Sequence, residues 1–265
     1  MSAQLFTPER KLTPYWWDAT PRPTLAATQL PESVDVLVIG SGYTGLHAAL
    51  QVARGGRSTL VVDAEDAGWG CSTRNGGQIS TSIKPGYDEL SARHGAQVAQ
   101  AIHAEGQRSL QWIGEFIATE NIDCSFGVVG RFHAAHNAQQ FAALAQRIAQ
   151  QPKGLAVDTE LIPRAEQHRE LGTDVYHGGV VYRRHAALDP GRYHQGLLER
   201  VIAAGATVVA RCPVSAIARD HGRFRAQTPL GDITARDVVI ATNGYTVKLT
   251  PWLRRRVIPI GSYII

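Results

Sequence analysis

A glycine-rich turn at residues 40–45 has the composition and spacing of a phosphate-binding turn. It follows the apolar residues 34–39, which are typical of a buried strand, and precedes the helix-forming residues 46–53. A strand, a glycine turn and a helix in this order direct backbone N–H groups and the positive end of the helix dipole at one point, where a pyrophosphate binds. In such a turn Gly40 makes the tight bend, Gly42 lets the pyrophosphate approach, and Gly45 lets the helix pack on the strand. The pattern predicts a dinucleotide site.

An acidic residue in the expected place supports this interpretation over that of a glycine turn without phosphate. The apolar residues 58–62 predict a second strand that ends in Asp63, which lies 23 positions after Gly40. An acid about 20 residues after the first glycine binds a ribose hydroxyl in dinucleotide folds. These two features predict a dinucleotide and leave both NAD and FAD open.

A second glycine-rich loop, residues 68–78, distinguishes between these cofactors. FAD bound in an extended conformation needs anchors beyond the first turn, and a loop just after Asp63 can pass under its ribityl chain and isoalloxazine ring. NAD sites need no such loop there. An apolar strand at 237–241, stopped by Thr242-Asn243-Gly244, completes the pattern.

These four segments together resemble the FAD-dependent D-amino-acid oxidase superfamily. The Tyr-Thr-Gly-Leu sequence at 43–46 and the Arg-Asn-Gly-Gly-Gln sequence at 74–78 are most similar to its gamma-glutamylputrescine oxidoreductase branch, near the glycine and sarcosine oxidases. The resemblance implies an α/β fold, with a Rossmann-like FAD-binding domain of the glutathione-reductase type interleaved with an α+β substrate domain.

The resemblance also implies roles for residues at matching positions. The pyrophosphate is expected at Gly40, Ser41, Gly42, Tyr43, Thr44 and Gly45, and the adenosine ribose at Asp63 with Ala64 beside it. The second loop is expected to place Ser72 and Arg74 near the pyrophosphate and ribityl chain, and Asn75, Gly76, Gly77 and Gln78 along the flavin ring. Gly70 and Cys71 of the same loop are also expected to bind the cofactor. The backbone of Val214 is expected against the adenine, and Ala241, Thr242 and Gly244 close to the nucleotide. Arg74 could instead form a surface salt bridge without contacting the cofactor. Val214 could also be a core residue, because its expected contact with adenine is through the backbone.

The implied chemistry is transfer of a hydride from a carbon that bears an amine to flavin N5, which leaves an imine that water hydrolyses. Oxygen or another electron acceptor would then reoxidise the flavin. Because the flavin supplies the reactive group, no acid–base pair is obligatory. The weak catalytic candidates are Lys84, His177, Arg183 and His185, each of which is also consistent with a surface or supporting position.

The substrate is expected to be a larger amine rather than a small amino acid. The sarcosine-oxidase branch has carboxylate-binding arginines just after the second glycine loop, whereas this chain has Gln78-Ile-Ser-Thr-Ser82 with only Lys84 nearby. Two other functions stay open, a non-catalytic FAD-binding fragment and an NAD(P)-linked dehydrogenase.

The chain is also expected to lack the C-terminal part of both domains, because residues 257–265 fall where the family has a substrate-domain strand. That part could be supplied as a separate chain. The division predicted from the sequence is an N-terminal arm at 1–33, FAD-binding segments at 34–84 and 187–250, and substrate-domain segments at 85–186 and 251–265.

The composition excludes several other classes of protein. The chain has 265 residues, of which 44% are hydrophobic and 19% charged, with a net charge of +4 spread along it. No apolar stretch approaches the roughly 20 residues that span a bilayer, and residues 1–22 lack the apolar core of a signal peptide. The three separated cysteines form no metal-binding pair. We therefore expect a cytoplasmic protein without a metal site, a membrane partner or a nucleic-acid partner.

The elements that must position these residues follow from the periodicity of apolar side chains. It predicts helices at 87–94, 96–119, 138–149 and 191–204, with Pro190 at the start of the last. Strands are predicted at 124–133, 175–182, 207–210 and 237–241, with a three-stranded antiparallel flap at 214–218, 224–228 and 233–235.

Overall fold

The computed structural model describes residues 7–25, 29–152, 154–246 and 249–261. The chain divides into a first unit of residues 1–76 and 190–265 and a second unit of residues 77–189. The strands are β1 (Ser33–Ile39), β2 (Thr59–Val62), β3 (Gln78–Ile79), β4 (Gly127–Val128), β5 (Arg131–Ala134), β6 (Thr159–Ile162), β7 (Gly179–Tyr182), β8 (Ala186–Ala187), β9 (Thr207–Val209), β10 (Ala216–Asp220), β11 (Arg223–Thr228) and β12 (Gly231–Ile240). The helices are α1 (Tyr15–Ala19), α2 (Tyr43–Arg54), α3 (Tyr87–His94), α4 (Ala96–Thr119), α5 (Ala138–Ala149), α6 (Pro190–Ala203) and α7 (Pro251–Arg254).

The described part of the first unit contains a six-stranded sheet in the order β10-β11-β12-β1-β2-β9. Strand β1 pairs in parallel with both β12 and β2, and β2 pairs in parallel with β9. Parallel strands are covered on both faces, which is why β1 and β2 are almost continuous apolar runs. Leu37, Val38, Leu60 and Val61 are fully buried.

The register brings the ends of three strands to one edge of this sheet. Ile39 pairs with Val62 on one side and with Ile240 on the other, and each is the last residue of its strand. The residues that follow these strands therefore emerge together at the carboxyl edge, where ligands bind in open α/β sheets.

Strand β12 differs from the sequence prediction, because the flap strand at 233–235 and the strand at 237–241 are one continuous strand. Its first half pairs antiparallel with β11, and its second half runs parallel to β1. Arg236 lies between the two predicted strands, and it forms an ion pair of 2.7 Å with Asp237, both side chains being exposed. The backbone pairing continues past them.

Helices α2 and α6 belong to the first unit, and α6 buries one stripe of its surface. Leu197, Leu198 and Val201 on α6 are fully or almost fully buried, as are Leu46 and Leu50 on α2. The spacing of three and four residues on α6 is the apolar stripe of an amphipathic helix. The predicted start at Pro190 is confirmed, since proline fits the first helical position.

The second unit contains two small antiparallel sheets, in the orders β3-β8-β4 and β5-β7-β6. Strands are shorter here than predicted: residues 124–133 form β4 and the start of β5, separated by Gly130 at φ 73°, and 175–182 form only β7. Helices α3, α4 and α5 have the predicted bounds. The five-segment domain division stays a prediction. Within the described residues, no helix combines the length and apolarity that a membrane crossing needs.

Candidate dinucleotide-binding site

The first turn of the site lies between β1 and the end of β12. The backbone N–H of Gly40 donates to the Val62 carbonyl at 2.8 Å, and that of Ala241 donates to the Ile39 carbonyl at 2.8 Å. Gly40 has a φ of 105°, and a Cβ there would lie 2.5 Å from the Ala241 carbonyl oxygen. Position 40 therefore requires glycine for both conformation and space.

The other two glycines of the turn lie close to neighbouring atoms. A Cβ at position 45 would overlap the Gly40 carbonyl oxygen, so helix α2 approaches β1 as closely as glycine allows. A Cβ at position 42 would lie 2.9 Å from Ser72 Oγ. Gly42 thus leaves room for the hydroxyl of the second glycine loop as well as for a ligand.

The first turn of α2 presents backbone N–H groups that suit an anion. Leu46 N–H donates to the Gly42 carbonyl at 2.9 Å, and Tyr43 N–H donates to Ser72 Oγ at 2.9 Å. The N–H groups of Thr44 and Gly45 belong to the same turn, as the second and third residues of α2. Helix termini leave such donors without intrahelical partners, and the helix dipole adds to their attraction for a phosphate. This arrangement fits a pyrophosphate.

Asp63 lies at the end of β2 and connects the two glycine loops. Its Oδ2 accepts from the backbone N–H and the hydroxyl of Ser41, at 2.7 and 2.6 Å, and its Oδ1 accepts from Glu65 N–H at 3.1 Å. Ser41 Oγ in turn accepts from Gly68 N–H at 3.0 Å. A carboxylate has about four acceptor sites, so Asp63 retains capacity for a ribose hydroxyl. Ala64 follows it as an exposed residue.

The second glycine loop holds its own shape through local hydrogen bonds. Thr73 Oγ1 donates to the Gly68 carbonyl at 2.6 Å, and Asn75 Nδ2 donates to the carbonyls of Cys71 and Ser72 at 3.1 and 3.0 Å. The loop therefore offers Ser72 to the first turn from a fixed backbone.

Arg74 lies between two tryptophans. Its guanidinium carbon is 4.5 Å from the centre of Trp17 and 4.4 Å from that of Trp69, and Nε donates to the Trp69 carbonyl at 2.7 Å. Among the described residues no carboxylate pairs with it. Its predicted contact with the pyrophosphate or ribityl chain stays a prediction.

Beyond Arg74, the loop crosses from the first unit into the second. Gly76 is the last residue of the first unit. Gly77 accepts through its carbonyl from Leu188 N–H at 3.0 Å, and Gln78 begins β3. The contacts of residues 75–78 with the flavin ring stay a prediction.

The segment after β12 reaches the second glycine loop through Tyr245, which the sequence prediction missed. Its ring meets that of Trp69 edge-on at 5.8 Å, and a Cβ at position 70 would lie 3.1 Å from it. Its hydroxyl is 3.6 Å from Cys71 Sγ, and this hydrogen bond is the main cause of a raised Tyr245 pKa. Tyr245, which follows Ala241 and the Thr242–Gly244 turn, thus packs against the second glycine loop.

Val214 occupies a half-buried position against the core of the first-unit sheet. Its side chain is a core side chain, as the sequence allowed. The contact of its backbone with adenine stays a prediction.

A buried histidine on α6 supports the first turn from behind, and it too was missed. His194 is fully buried, with Nε2 2.8 Å from the Ser41 carbonyl and Nδ1 3.1 Å from Arg22 Nη2. Burial, followed by the charge of Arg22, lowers the pKa of His194 to about 4. The ring is therefore neutral at pH 7, with Nε2–H donating to Ser41 and Nδ1 accepting from Arg22. Its place on the apolar stripe of α6 was the signal available in the sequence.

The catalytic candidates all lie in the second unit, and the structure does not bring them together. His185 is almost fully buried, its Nε2 accepts from Thr81 N–H at 3.3 Å, and its ring stacks on Tyr182 at 4.8 Å. Burial, with a smaller effect of Arg131, lowers the His185 pKa. His185 lines an open groove of about 790 Å³ with Thr81 and Arg184.

The other three candidates do not line that groove. Arg183 is exposed and forms ion pairs with Glu160 and, at 4.0 Å, with Asp158. His177 is half-buried and donates its backbone N–H to Ala135 at 2.9 Å. Lys84 is exposed. Within the described residues no cluster of side chains could hold a metal ion.

The parallel sheet, the two glycine loops and the acid at the carboxyl edge define a dinucleotide-binding α/β protein. A family model described as "FAD dependent oxidoreductase" (DAO) matches residues 35–265, and the chain belongs to this family. The predicted resemblance is thereby confirmed, and FAD is the cofactor of the family.

Curated relatives support this membership. The gamma-glutamylputrescine oxidoreductase of Escherichia coli (strain K12) is 30% identical over 239 residues, which cover 89% of this chain and 56% of that protein. A probable oxidoreductase OrdL of Rhizobium meliloti (strain 1021) is 30% identical over 252 residues, covering 94% and 59%. The chain thus spans somewhat more than half the length of these relatives.

Solved structures show the same fold. Glycine oxidase from Geobacillus kaustophilus superposes with a TM-score of 0.71 at 15% identity, covering 81% of this chain and 56% of that one. L-proline dehydrogenase from P. horikoshii gives a TM-score of 0.65 at 19% identity, covering 82% and 54%. The predicted fold class is confirmed.

Proposed function

We propose that this chain binds FAD at the carboxyl edge of its parallel sheet and contributes to oxidation of the C–N bond of an amine or amino-acid-like substrate. The observation that carries the proposal is the glycine turn before α2 in a chain of an FAD-dependent family. Asp63 accepts from Ser41 N–H in this turn, and Ser72 Oγ accepts from Tyr43 N–H at the start of α2. Bound FAD would accept the hydride from the carbon that bears the amine. Loss of a proton from the nitrogen would leave an imine, which water would hydrolyse.

The residues of the first unit bind and orient the cofactor in this proposal. The N–H groups of α2 and the Ser72 hydroxyl hold the pyrophosphate, and Asp63 accepts from a ribose hydroxyl. The remaining predicted contacts are those of the second loop with the flavin, of Val214 with adenine, and of residues 241–244 with the nucleotide.

The second unit is proposed to contribute to substrate binding. The groove beside His185 is lined by polar and apolar side chains, and burial lowers the pKa of His185, which favours its neutral form. A neutral imidazole can exchange a hydrogen bond with an amine without repelling it. The name of the relative from Escherichia coli, and the absence of arginines after the second loop, favour a larger amine such as gamma-glutamylputrescine. Oxygen or another acceptor is proposed to take up the electrons.

Anaerobic titration of the purified chain tests the proposal. The chain should retain a yellow flavin, and addition of gamma-glutamylputrescine without oxygen should bleach its visible absorbance. If the chain binds flavin but no amine bleaches it, only the FAD-binding function is left. That function is the second candidate, because the chain covers only 56–59% of the length of the relatives. A chain that binds no flavin would contradict both.

A further inference from the structure

The N-terminal segment of residues 16–22 lies against the second glycine loop. Trp16 Nε1 donates to the Asn75 carbonyl at 2.8 Å, and Trp17 Nε1 donates to Thr73 Oγ1 at 2.8 Å. Both bonds reach the distal end of the loop. This segment thus contacts the part of the loop that directly follows Ser72.

The bond from Trp17 fixes a hydrogen-bond chain through the interior of the loop. Thr73 is fully buried, and its hydroxyl has only one proton to donate. Since it accepts from Trp17, that proton goes to the Gly68 carbonyl at 2.6 Å. Trp17 therefore orients the side chain that joins the two ends of the loop.

Trp17 also forms one side of the stack that holds Arg74. The guanidinium lies at about equal distances from the rings of Trp17 and Trp69. Such a cation–π contact stabilises the position of the guanidinium. The adjacent residues Thr73 and Arg74 are thus both held by one indole.

Arg22 contacts the other end of the loop. Its Nη2 donates to the Ala67 carbonyl and lies 3.1 Å from Nδ1 of His194, whose Nε2–H donates to Ser41. A Cβ at position 68 would overlap the His194 ring. The start of the second loop is thereby tied to the first turn through Arg22 and His194.

We propose that residues 16–22 are a positioning element of the dinucleotide site. They hold both ends of the second glycine loop so that Ser72 meets Tyr43 N–H beside Gly42, in the geometry that receives the pyrophosphate. This inference rests on the proposed function, because its consequence is tighter flavin binding. Trp16, Trp17 and Arg22 act through the loop and need not touch the cofactor.

Two substitutions of Trp17 in the full chain separate its contributions. Trp17→Phe keeps a ring beside Arg74 and removes the donor to Thr73, whereas Trp17→Ala removes both. Trp112→Phe on α4 is the matched control, because Trp112 is 47% exposed and lies in the second unit. The flavin dissociation constant is measured by fluorescence quenching, and backbone hydrogen exchange of residues 68–75 is measured on the flavin-free chain.

We expect Trp17→Phe to bind flavin about threefold more weakly, because it loses the hydrogen bond to Thr73. Trp17→Ala should bind about tenfold more weakly, because it also loses the cation–π contact with Arg74. Exchange at 68–75 should accelerate in the same order, and the visible circular dichroism of bound flavin should change. Trp112→Phe should match the wild type.

Unchanged exchange in Trp17→Ala would overturn the inference, as would faster exchange with unchanged flavin affinity. If the wild type binds no flavin, the proposed function fails, while hydrogen exchange in the flavin-free chain still decides whether the segment positions the loop.

Discussion

At the scale of single residues, the site depends on positions where no side chain fits and on one buried ring. Gly40 and Gly45 are required by backbone neighbours, the carbonyls of Ala241 and Gly40, whereas a Cβ at position 42 would displace the Ser72 hydroxyl. Of the three, Gly42 is the one whose neighbour belongs to the second loop. A substitution there should affect the ligand site before it affects the sheet.

Gly42→Val should therefore weaken flavin binding by about a hundredfold. Its side chain would displace Ser72 from Tyr43 N–H and block the approach to the helix terminus, and hydrogen bonds to a charged group contribute roughly 1.5–3 kcal/mol each. Flavin retention after gel filtration, with titration of the flavin-free chain, measures the loss.

Gly172→Val is the matched control, because position 172 is exposed and a Cβ there meets nothing within 4 Å. Normal flavin affinity in Gly42→Val would contradict the pyrophosphate site.

His194 should make the chain less stable in mild acid. Its pKa is about 4 in the folded protein, and about 6.5 in the unfolded chain. As the pH falls below 6.5, the unfolded state binds a proton that the folded state does not, and the free energy of unfolding decreases. The contribution of His194 to that free energy is therefore complete above pH 6.5 and is lost towards pH 4. At about 1.4 kcal/mol per pKa unit, the loss is on the order of 3 kcal/mol.

Urea unfolding at pH 7 and pH 4.5 measures this effect. His194→Gln is the control, because the glutamine side-chain amide can donate to the Ser41 carbonyl and does not titrate. An equal pH dependence in both chains would show that other groups cause it.

At the scale of elements, α6 supports the site through its buried stripe. The stripe carries His194 behind the first turn, and Pro190 at its start accepts from the Tyr43 hydroxyl at 3.0 Å. Tyr193 adds a hydrogen bond to His47 on α2 at 2.7 Å. Packing of this helix thus positions the backbone that is proposed to bind the pyrophosphate.

Leu197→Ala should lower the free energy of unfolding by about 2–5 kcal/mol, as expected for a leucine removed from a closed core. Leu197 is fully buried, whereas Ile202 on the same helix is 45% exposed. Ile202→Ala should cost much less, and denaturant unfolding of both variants measures the difference. Similar losses in the two variants would contradict this orientation of α6.

At the scale of the whole molecule, the proposed dinucleotide site is built from segments far apart in the chain. Residues 16–22, 40–45, 63–75 and 241–245 all belong to the first unit, which the second unit interrupts. A ligand that bridges such segments stabilises the folded state, since it binds only when all of them are in place.

FAD should therefore raise the melting temperature of the chain, and FMN should raise it much less. At a free concentration of 100 times its dissociation constant, a ligand adds about 2.7 kcal/mol to stability. FMN lacks the adenosine and the second phosphate, so it loses the contacts proposed for Asp63 and for α2. Differential scanning calorimetry at equal concentrations measures both shifts, and equal shifts would contradict the extended binding mode.

The sequence by itself determined the ligand class and most of the strands of the first-unit sheet. A phosphate-binding turn imposes local requirements, which explain the glycine spacing, Asp63 and the second loop. Such requirements concern residues that are close together in the chain, so they can be recognised from the sequence alone. The same is true of helices α3, α4 and α5, whose bounds were predicted from apolar spacing alone.

Only the tertiary structure decided which distant residues complete the site. Trp17, Arg22, His194 and Tyr245 approach the glycine loops through contacts between residues up to 174 positions apart, and no local pattern records such a contact. The continuity of β12 was also invisible, because its polar pair is satisfied by an ion pair at an exposed position. The physical reason is the same in each case: a side chain's role depends on what packs against it, and packing is set by the fold rather than by neighbours in the chain.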